Sequence, residues 1–153
     1  RGRLYTPRCS ADLGDARCGV ALDAPDRRAE GTVTTGGTAT IISAGLAALA
    51  TDALSGGRIE VLTGAAAGFT VEIAAATPVT DGVSLALWQP APVPLALGDA
   101  LRVTVGCDKA FATCRDRFAN ALNFRGFPHM PGIDRILSVP LPGEGGHDGG
   151  VLD

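Results

Sequence analysis

The stretch GRIEVLTGAAAGFTVEI, residues 57–73, decides the fold. Ile59 and Val61 alternate with Arg58 and Glu60, and Phe69, Val71 and Ile73 alternate with Thr70 and Glu72. Successive side chains of a strand point to opposite faces, so period two over runs this short marks strands with one buried side. Thr63-Gly64 and Gly68 lie between the runs and supply turn residues. The Gly-x-x-x-Gly spacing of residues 64–68 is that of a packing motif in membrane helices, but between two strands it reads as a turn.

Working outward, the alternation recurs at 83–88 through Val83, Leu85 and Leu87, and at 101–105 through Leu101, Val103 and Val105. Thr80-Asp81-Gly82 and Gly98-Asp99 punctuate these runs. Upstream, 31–35 and 38–43 are rich in Thr, Val and Ile and predict a hairpin about Gly36-Gly37. Five or six short strands predict a mainly β fold, a small antiparallel β-barrel or sandwich. The Pro-rich piece 90–94 is excluded from a central strand, because proline cannot donate to a ladder, and reads as an edge or a loop.

Two segments have helical character. Residues 45–54 are rich in Ala and Leu, but Thr51-Asp52 and Gly56 limit them to a short turn. Residues 109–120 predict one C-terminal helix: Asp108 is placed as its N-cap, and Phe111, Cys114 and Phe118 share a stripe that Arg115 and Arg117 avoid. The loop that follows holds Phe124, Phe127, Pro128 and Pro131, whose side chains are expected to pack over the barrel and over the cysteine centre considered below, either shielding it from solvent or simply closing an ordinary core.

At 153 residues the chain is long enough for one domain with one core. Hydrophobic residues make up 46% and charged residues 19%, which excludes a charge-rich disordered chain and a coiled coil. A net charge of −3 leaves no electrostatic footprint for nucleic acid. No apolar run approaches the roughly 18 residues that a membrane-crossing helix needs. The chain starts at Arg1 rather than Met, so residues 1–140 are expected to be one domain of a longer protein, with 141–153 a flexible Gly-rich tail.

Four cysteines fall in two pairs, Cys9-x8-Cys18 and Cys107-x6-Cys114, with the strands between them. Buried free thiols, two disulfides in any of three connectivities, or one four-thiolate metal site all accommodate that count. The third reading is favoured. Cys107 precedes the predicted helix and Cys114 lies on its inward face, and a thiolate at a helix N-terminus is expected to have a lowered pKa. Residues 9–18 form a polar loop able to wrap a bulky centre. Structural zinc ligands usually stand two to four residues apart within a pair, so these wider spacings suit a larger cluster better. Basic Lys109 and Arg115 are expected nearby, partly offsetting the anionic sulfurs.

A specific resemblance is carried by Gly106-Cys107-Asp108-Lys109, Thr113-Cys114, Phe118, Asn120, Asn123-Phe124-Arg125-Gly126-Phe127-Pro128-His129 and Pro131-Gly132, together with Cys9 and Cys18-Gly19-Val20. Over about residues 8–134 the chain resembles the phage tail hub family, most closely the baseplate hubs of Rhodobacter-type gene transfer agents, phage-like particles that deliver DNA to cells. The cysteine spacing is also similar to that of the tail-tip proteins of lambdoid phages, which hold a [4Fe–4S] cluster. The resemblance implies that Cys9, Cys18, Cys107 and Cys114 ligate such a cluster in a structural role, as a metal staple on the N-terminal loop. It further implies a homotrimer around a DNA channel that reads no sequence. Such a hub joins the distal tail protein to the central fibre or receptor-binding protein and mounts the tail cell-wall peptidase. Its expected place is the tail baseplate of a virion-like particle assembled in the bacterial cytoplasm.

An enzyme is not expected. A Cys–His peptidase would need His129 beside Cys107 or Cys114, and a lone histidine in a Pro-rich loop is more often a packing residue. There is no Walker loop, no Gly-x-Ser-x-Gly elbow and no His-Glu-x-x-His. Asp99, Asp108 and Asp134 have no informative spacing and read as a turn residue, a cap and a loop contact. The alternative function is a soluble iron–sulfur redox or sensor domain, against which stands the lack of any flavin or nucleotide fingerprint.

Overall fold

Alternation in the sequence becomes a closed wall. The structure, a computed structural model, describes residues 5–129. Its strands are β1 (Arg28–Thr35), β2 (Thr40–Ala44), β3 (Arg58–Val61), β4 (Thr70–Val79), β5 (Gly82–Leu87) and β6 (Ala100–Thr104). They form a closed barrel in the order β1-β2-β5-β4-β3-β6, every neighbouring pair antiparallel. Closure pairs each strand with two neighbours, β4 beyond Ile73 with β5 alone. The expected barrel is therefore the form adopted, not the sandwich.

Register puts the apolar positions opposite one another. Ile59 sits across from Val71 on one side and Val103 on the other, Val61 faces Leu101, Ile73 faces Leu87, and Ile41 faces Leu85. These side chains fill the interior, with Ile59, Ile73, Leu85, Leu101 and Val103 wholly buried. The connection between β2 and β3 adds Leu46, Leu49 and Leu54 to the same core. As expected, this Ala/Leu-rich piece makes only a 3-10 turn, Thr51–Ala53. On the outer face Arg102 bridges Glu30 at 2.8 Å and Glu60 at 3.2 Å across β1, β6 and β3. Such exposed pairs are worth little in water, so the interior holds the barrel together.

Two boundaries differ from the sequence reading. β4 runs on to Val79 beyond Ile73, with a register shift between Ile73 and Ala75. Residues 74–79 pair with β5 and are mostly exposed, and the residue that meets the core there is the half-buried Ala76 opposite Leu85, so no large apolar residue marks an alternation. The helix is also shorter than expected. α1 spans Phe111–Asp116 and its N-cap is Ala110, because Lys109 takes a left-handed φ of 64° that no helix accepts. Asp108 still serves the helix start from two residues upstream: its carboxylate accepts the Ala110 N–H at 2.9 Å and the Thr113 hydroxyl at 3.0 Å. At the other end Ala119 is left-handed at φ 49°, and the Asn120 N–H reaches back to the Cys114 carbonyl at 2.9 Å. The expected tail at 141–153 lies outside the described residues, as does the end of the 1–140 unit.

The step from barrel to helix is made by Gly106. Its N–H donates to the Ala53 carbonyl at 2.7 Å, and a Cβ there would lie 2.2 Å from the Ser55 carbonyl oxygen and 2.5 Å from the Gly56 carbonyl carbon. Backbone cannot yield as a flexible side chain can. Gly106→Ala is therefore expected to destabilise the domain by roughly 1–3 kcal/mol, the usual cost of forced overpacking. Urea denaturation checks this, with an unchanged midpoint as the contrary result.

Candidate metal centre

Two segments that flank the barrel build the site: residues 5–27 before β1 and residues 106–129 after β6. Backbone hydrogen bonds stitch them together. The Cys9 N–H donates to the Lys109 carbonyl at 2.9 Å, Ser10 N–H to Arg125 at 3.1 Å, and Phe127 N–H to Thr6 at 2.9 Å. The turn that carries Cys18 is organised by Asp15, whose carboxylate accepts the N–H groups of Cys18 at 2.7 Å, Arg17 at 2.9 Å and Asp12 at 3.1 Å. Those bonds, the Cys18 N–H first, outweigh a small opposing effect of burial and hold the Asp15 carboxyl below the usual carboxylate range.

The result is one pocket lined by all four cysteines. Ala11, Leu13, Val20 and Phe118 give it apolar walls, and Lys109, Asn120 and Asn123 give it polar ones. Cys18 and Cys114 are buried, Cys9 and Cys107 half-buried, and all four are free thiols. Neither disulfide alternative is formed. Backbone or side-chain N–H groups face three of the sulfurs: Arg125 N–H at Cys9, 3.4 Å; Asn120 Nδ2 at Cys18, 3.7 Å; and the Lys109 N–H at Cys107. The fourth, Cys114, is placed to donate its S–H to the Asn120 carbonyl at 3.3 Å.

The electrostatics correct one expectation. Burial pushes the Cys107 thiol up, and the Lys109 N–H and ammonium pulling the other way do not prevail. α1 begins only at Phe111 and has six residues, so Cys107 gains too little from a helix terminus to ionise early. Cys114 is also raised, first by burial and then by Cys9, Cys107 and Cys18, whose thiolates would repel its own. Burial and the neighbouring sulfurs thus favour the neutral thiol at Cys107 and Cys114.

The donor set suits a soft, thiolate-bound centre: four sulfurs, no competing carboxylate or imidazole in the lining. Their spacing is not that of a single ion's ligand shell, since among the described residues no three His, Cys, Asp or Glu stand close enough to grip one metal ion. A tetrahedral zinc at about 2.3 Å from each sulfur would hold the sulfurs about 3.8 Å apart.

Other expectations fare unevenly. Lys109 does line the pocket, and its ammonium bonds to the Ala11 carbonyl and to Asp12. Arg115 does not; it is exposed and paired with its neighbour Asp116. Phe118 is the ring that walls the pocket, whereas Phe127 is 40% exposed and stacks on Tyr5 with centroids 4.6 Å apart. His129 lies against Phe111 at 6.0 Å and is not part of the cysteine pocket. Asn120 and Asn123 were given no role from sequence; only their place in the resemblance marked them.

The family model described as phage conserved hypothetical protein BR0599 matches residues 52–134, more than half of the chain. The chain belongs to this phage family. No curated protein matches it. Among solved structures it is similar to a chain of the virion of the native gene transfer agent (GTA) particle, with 40% sequence identity and a TM-score of 0.79. That match covers 100% of this chain and 53% of the virion chain, so the chain spans about half the length of its relative. The BR0599 family match takes in β3 to β6 and the Cys107–Cys114 pair, and the virion match extends to Cys9 and Cys18.

Asp15→Ala is expected to quicken amide hydrogen exchange at Arg17 and Cys18 while leaving β6 amides unchanged, because the loss is confined to the arm. Nuclear magnetic resonance on the intact chain measures both, and unchanged exchange at Cys18 would refute the role given to Asp15.

Proposed function

We propose that this chain is a structural tail hub of a phage-like particle of the gene-transfer-agent type, and that Cys9, Cys18, Cys107 and Cys114 hold a structural [4Fe–4S] cluster. The observation that carries the first half is 40% identity along the whole chain to a protein of a gene transfer agent virion. The second half is supported by the four thiols on one apolar-walled pocket. Three of their sulfurs already face N–H donors, the surroundings that iron–sulfur thiolates use.

In this role the hub is a homotrimer around a DNA channel. It links the distal tail protein to the fibre or receptor-binding protein and carries the cell-wall peptidase. It acts by position rather than by chemistry on a substrate. A bound cluster supplies iron–thiolate bonds and a compensating charge for four thiolates that otherwise repel. The protein's part is to bring the arm against the barrel, to exclude water with Phe118, Leu13 and Val20, and to set Lys109 beside the sulfurs.

Two measurements test the two halves. Cross-linking of purified particles is expected to trap this chain as a trimer; its absence from the particles would overturn the hub reading. Anaerobically purified protein is expected to carry about four irons per chain with thiolate-to-iron absorption. Cys107→Ser is expected to lose that iron and to expose residues 8–20 to protease, since in this reading the arm is held by the shared centre as well as by its few backbone hydrogen bonds. Wild-type protein without iron would refute the cluster.

A further inference from the structure

We propose that Asn120 is the positioning residue of the cysteine centre: its side chain holds Cys18 of the N-terminal arm and directs an N–H at the Cys18 sulfur, while its main chain holds Cys114 of α1. The inference rests on the thiolate-centre reading given above and adds a residue and a property to it.

Asn120 reaches one cysteine from each pair. Its Nδ2 donates to the Cys18 carbonyl at 2.6 Å and faces the Cys18 sulfur at 3.7 Å. A carbonyl can only accept, so the atom turned toward Cys18 is the amide nitrogen and the orientation of the side chain follows. The amide oxygen is held from behind by Asn123 Nδ2 at 2.7 Å. The Asn120 main chain meets the other pair: its N–H donates to the Cys114 carbonyl at 2.9 Å, and its carbonyl accepts from the Cys114 thiol at 3.3 Å. The left-handed turn at Ala119 brings Asn120 back over the end of α1 to make both contacts.

The Asn120 carbonyl also accepts the Asn123 N–H at 3.1 Å, so the turn does not depend on the Cys114 thiol alone. A metal-bound thiolate is a better acceptor than a thiol for the N–H facing Cys18, since hydrogen bonds to ionised groups are the stronger ones. The donors at Cys9 and Cys107 come from the backbone, so Asn120 is the side-chain donor to a sulfur among the described residues. Hydrogen bonds to ligand sulfur stabilise the more negatively charged state of a cluster and so raise its reduction potential. Asn120 thus has two consequences at one residue: retention of the centre and its potential.

The test compares anaerobically purified wild-type protein with Asn120→Asp, which keeps the size and the acceptor for Asn123 but turns an acceptor toward Cys18. Iron content, the rate of iron release to a chelator and the midpoint potential are measured on each. N120D is expected to release iron faster and to titrate at a more negative potential. Leu49→Ala, a core truncation outside the pocket, is expected to lower stability while leaving the potential in place. Should N120D hold no iron, Asn123→Ala serves instead; it leaves the amide but frees its oxygen, and is expected to shift the potential the same way by less. Release rates and potentials equal to wild type in the variant that holds iron would overturn the role of Asn120. Wild-type protein without iron would overturn the thiolate-centre reading, and this proposal with it, before any variant is compared.

Discussion

The antiparallel pairing of β1 with β6 is the constraint on which the cysteine pocket depends. Arg28 lies opposite Thr104, and the Val105 N–H continues the ladder to the Arg27 carbonyl at 2.9 Å. In an antiparallel pair the chain entering one strand lies beside the chain leaving the other. The same hydrogen bonds that close the barrel therefore set residues 5–27 against residues 106–129. Bringing Cys9 and Lys109 together from an open chain of roughly 100 residues would cost about 4 kcal/mol of loop entropy. After barrel closure most of that cost has been met by strand pairing. The remaining closure is short, and a few backbone hydrogen bonds between the two segments serve it.

This division explains which parts of the molecule were legible in the sequence. The barrel was, because each strand with a buried face must alternate: Ile59 and Val61, Val71 and Ile73, Leu85 and Leu87, Leu101 and Val103 all point inward. Residues 74–79 were not, because what meets the core there is the small, half-buried Ala76, too little apolar surface for a pattern to mark. The four cysteines were recognised as one group by type and spacing, and they do share a pocket. Their surroundings were not legible. Asn120 depends on the left-handed Ala119, a conformation that sequence gives no reason to expect at alanine, and Lys109 is left-handed where a helical residue was expected. Phe127 misled for a simpler reason: an aromatic residue in a Pro-rich loop has no period to say whether it faces in or out.

The pocket holds two opposing demands. Burial and mutual repulsion push the thiols of Cys107 and Cys114 toward neutrality. The N–H groups at Cys9, Cys18 and Cys107, and the ammonium of Lys109 at the lining, favour thiolates. At Cys107 and Cys114 burial and repulsion prevail. A multivalent cation changes the balance, because it compensates the charge that burial and repulsion penalise while leaving every N–H donor in place. Arg115 takes no part in this, being tied to Asp116 on the exposed side of α1, so the positive charge at the pocket is that of Lys109.

Placing such a centre outside the barrel follows from what fills the barrel. Ile41, Ile59, Ile73, Leu85, Leu101 and Val103 fill the interior, the buried Ser43 hydroxyl is spent on the Thr32 and Ala44 carbonyls, and a charged group there would meet the full desolvation penalty. The pocket between the two flanking segments is different. Its walls are apolar on the side of Leu13, Val20 and Phe118, while Lys109 and Asn120 supply donors on the other. It is joined to the barrel through Gly106, whose close approach to Ser55 and Gly56 leaves no room for a side chain. Because the flanking segments meet outside the barrel, the N-terminal segment can be held without disturbing the core. The two units then respond to different challenges: core truncations act on the barrel, and changes at the cysteine pocket act first on the arm.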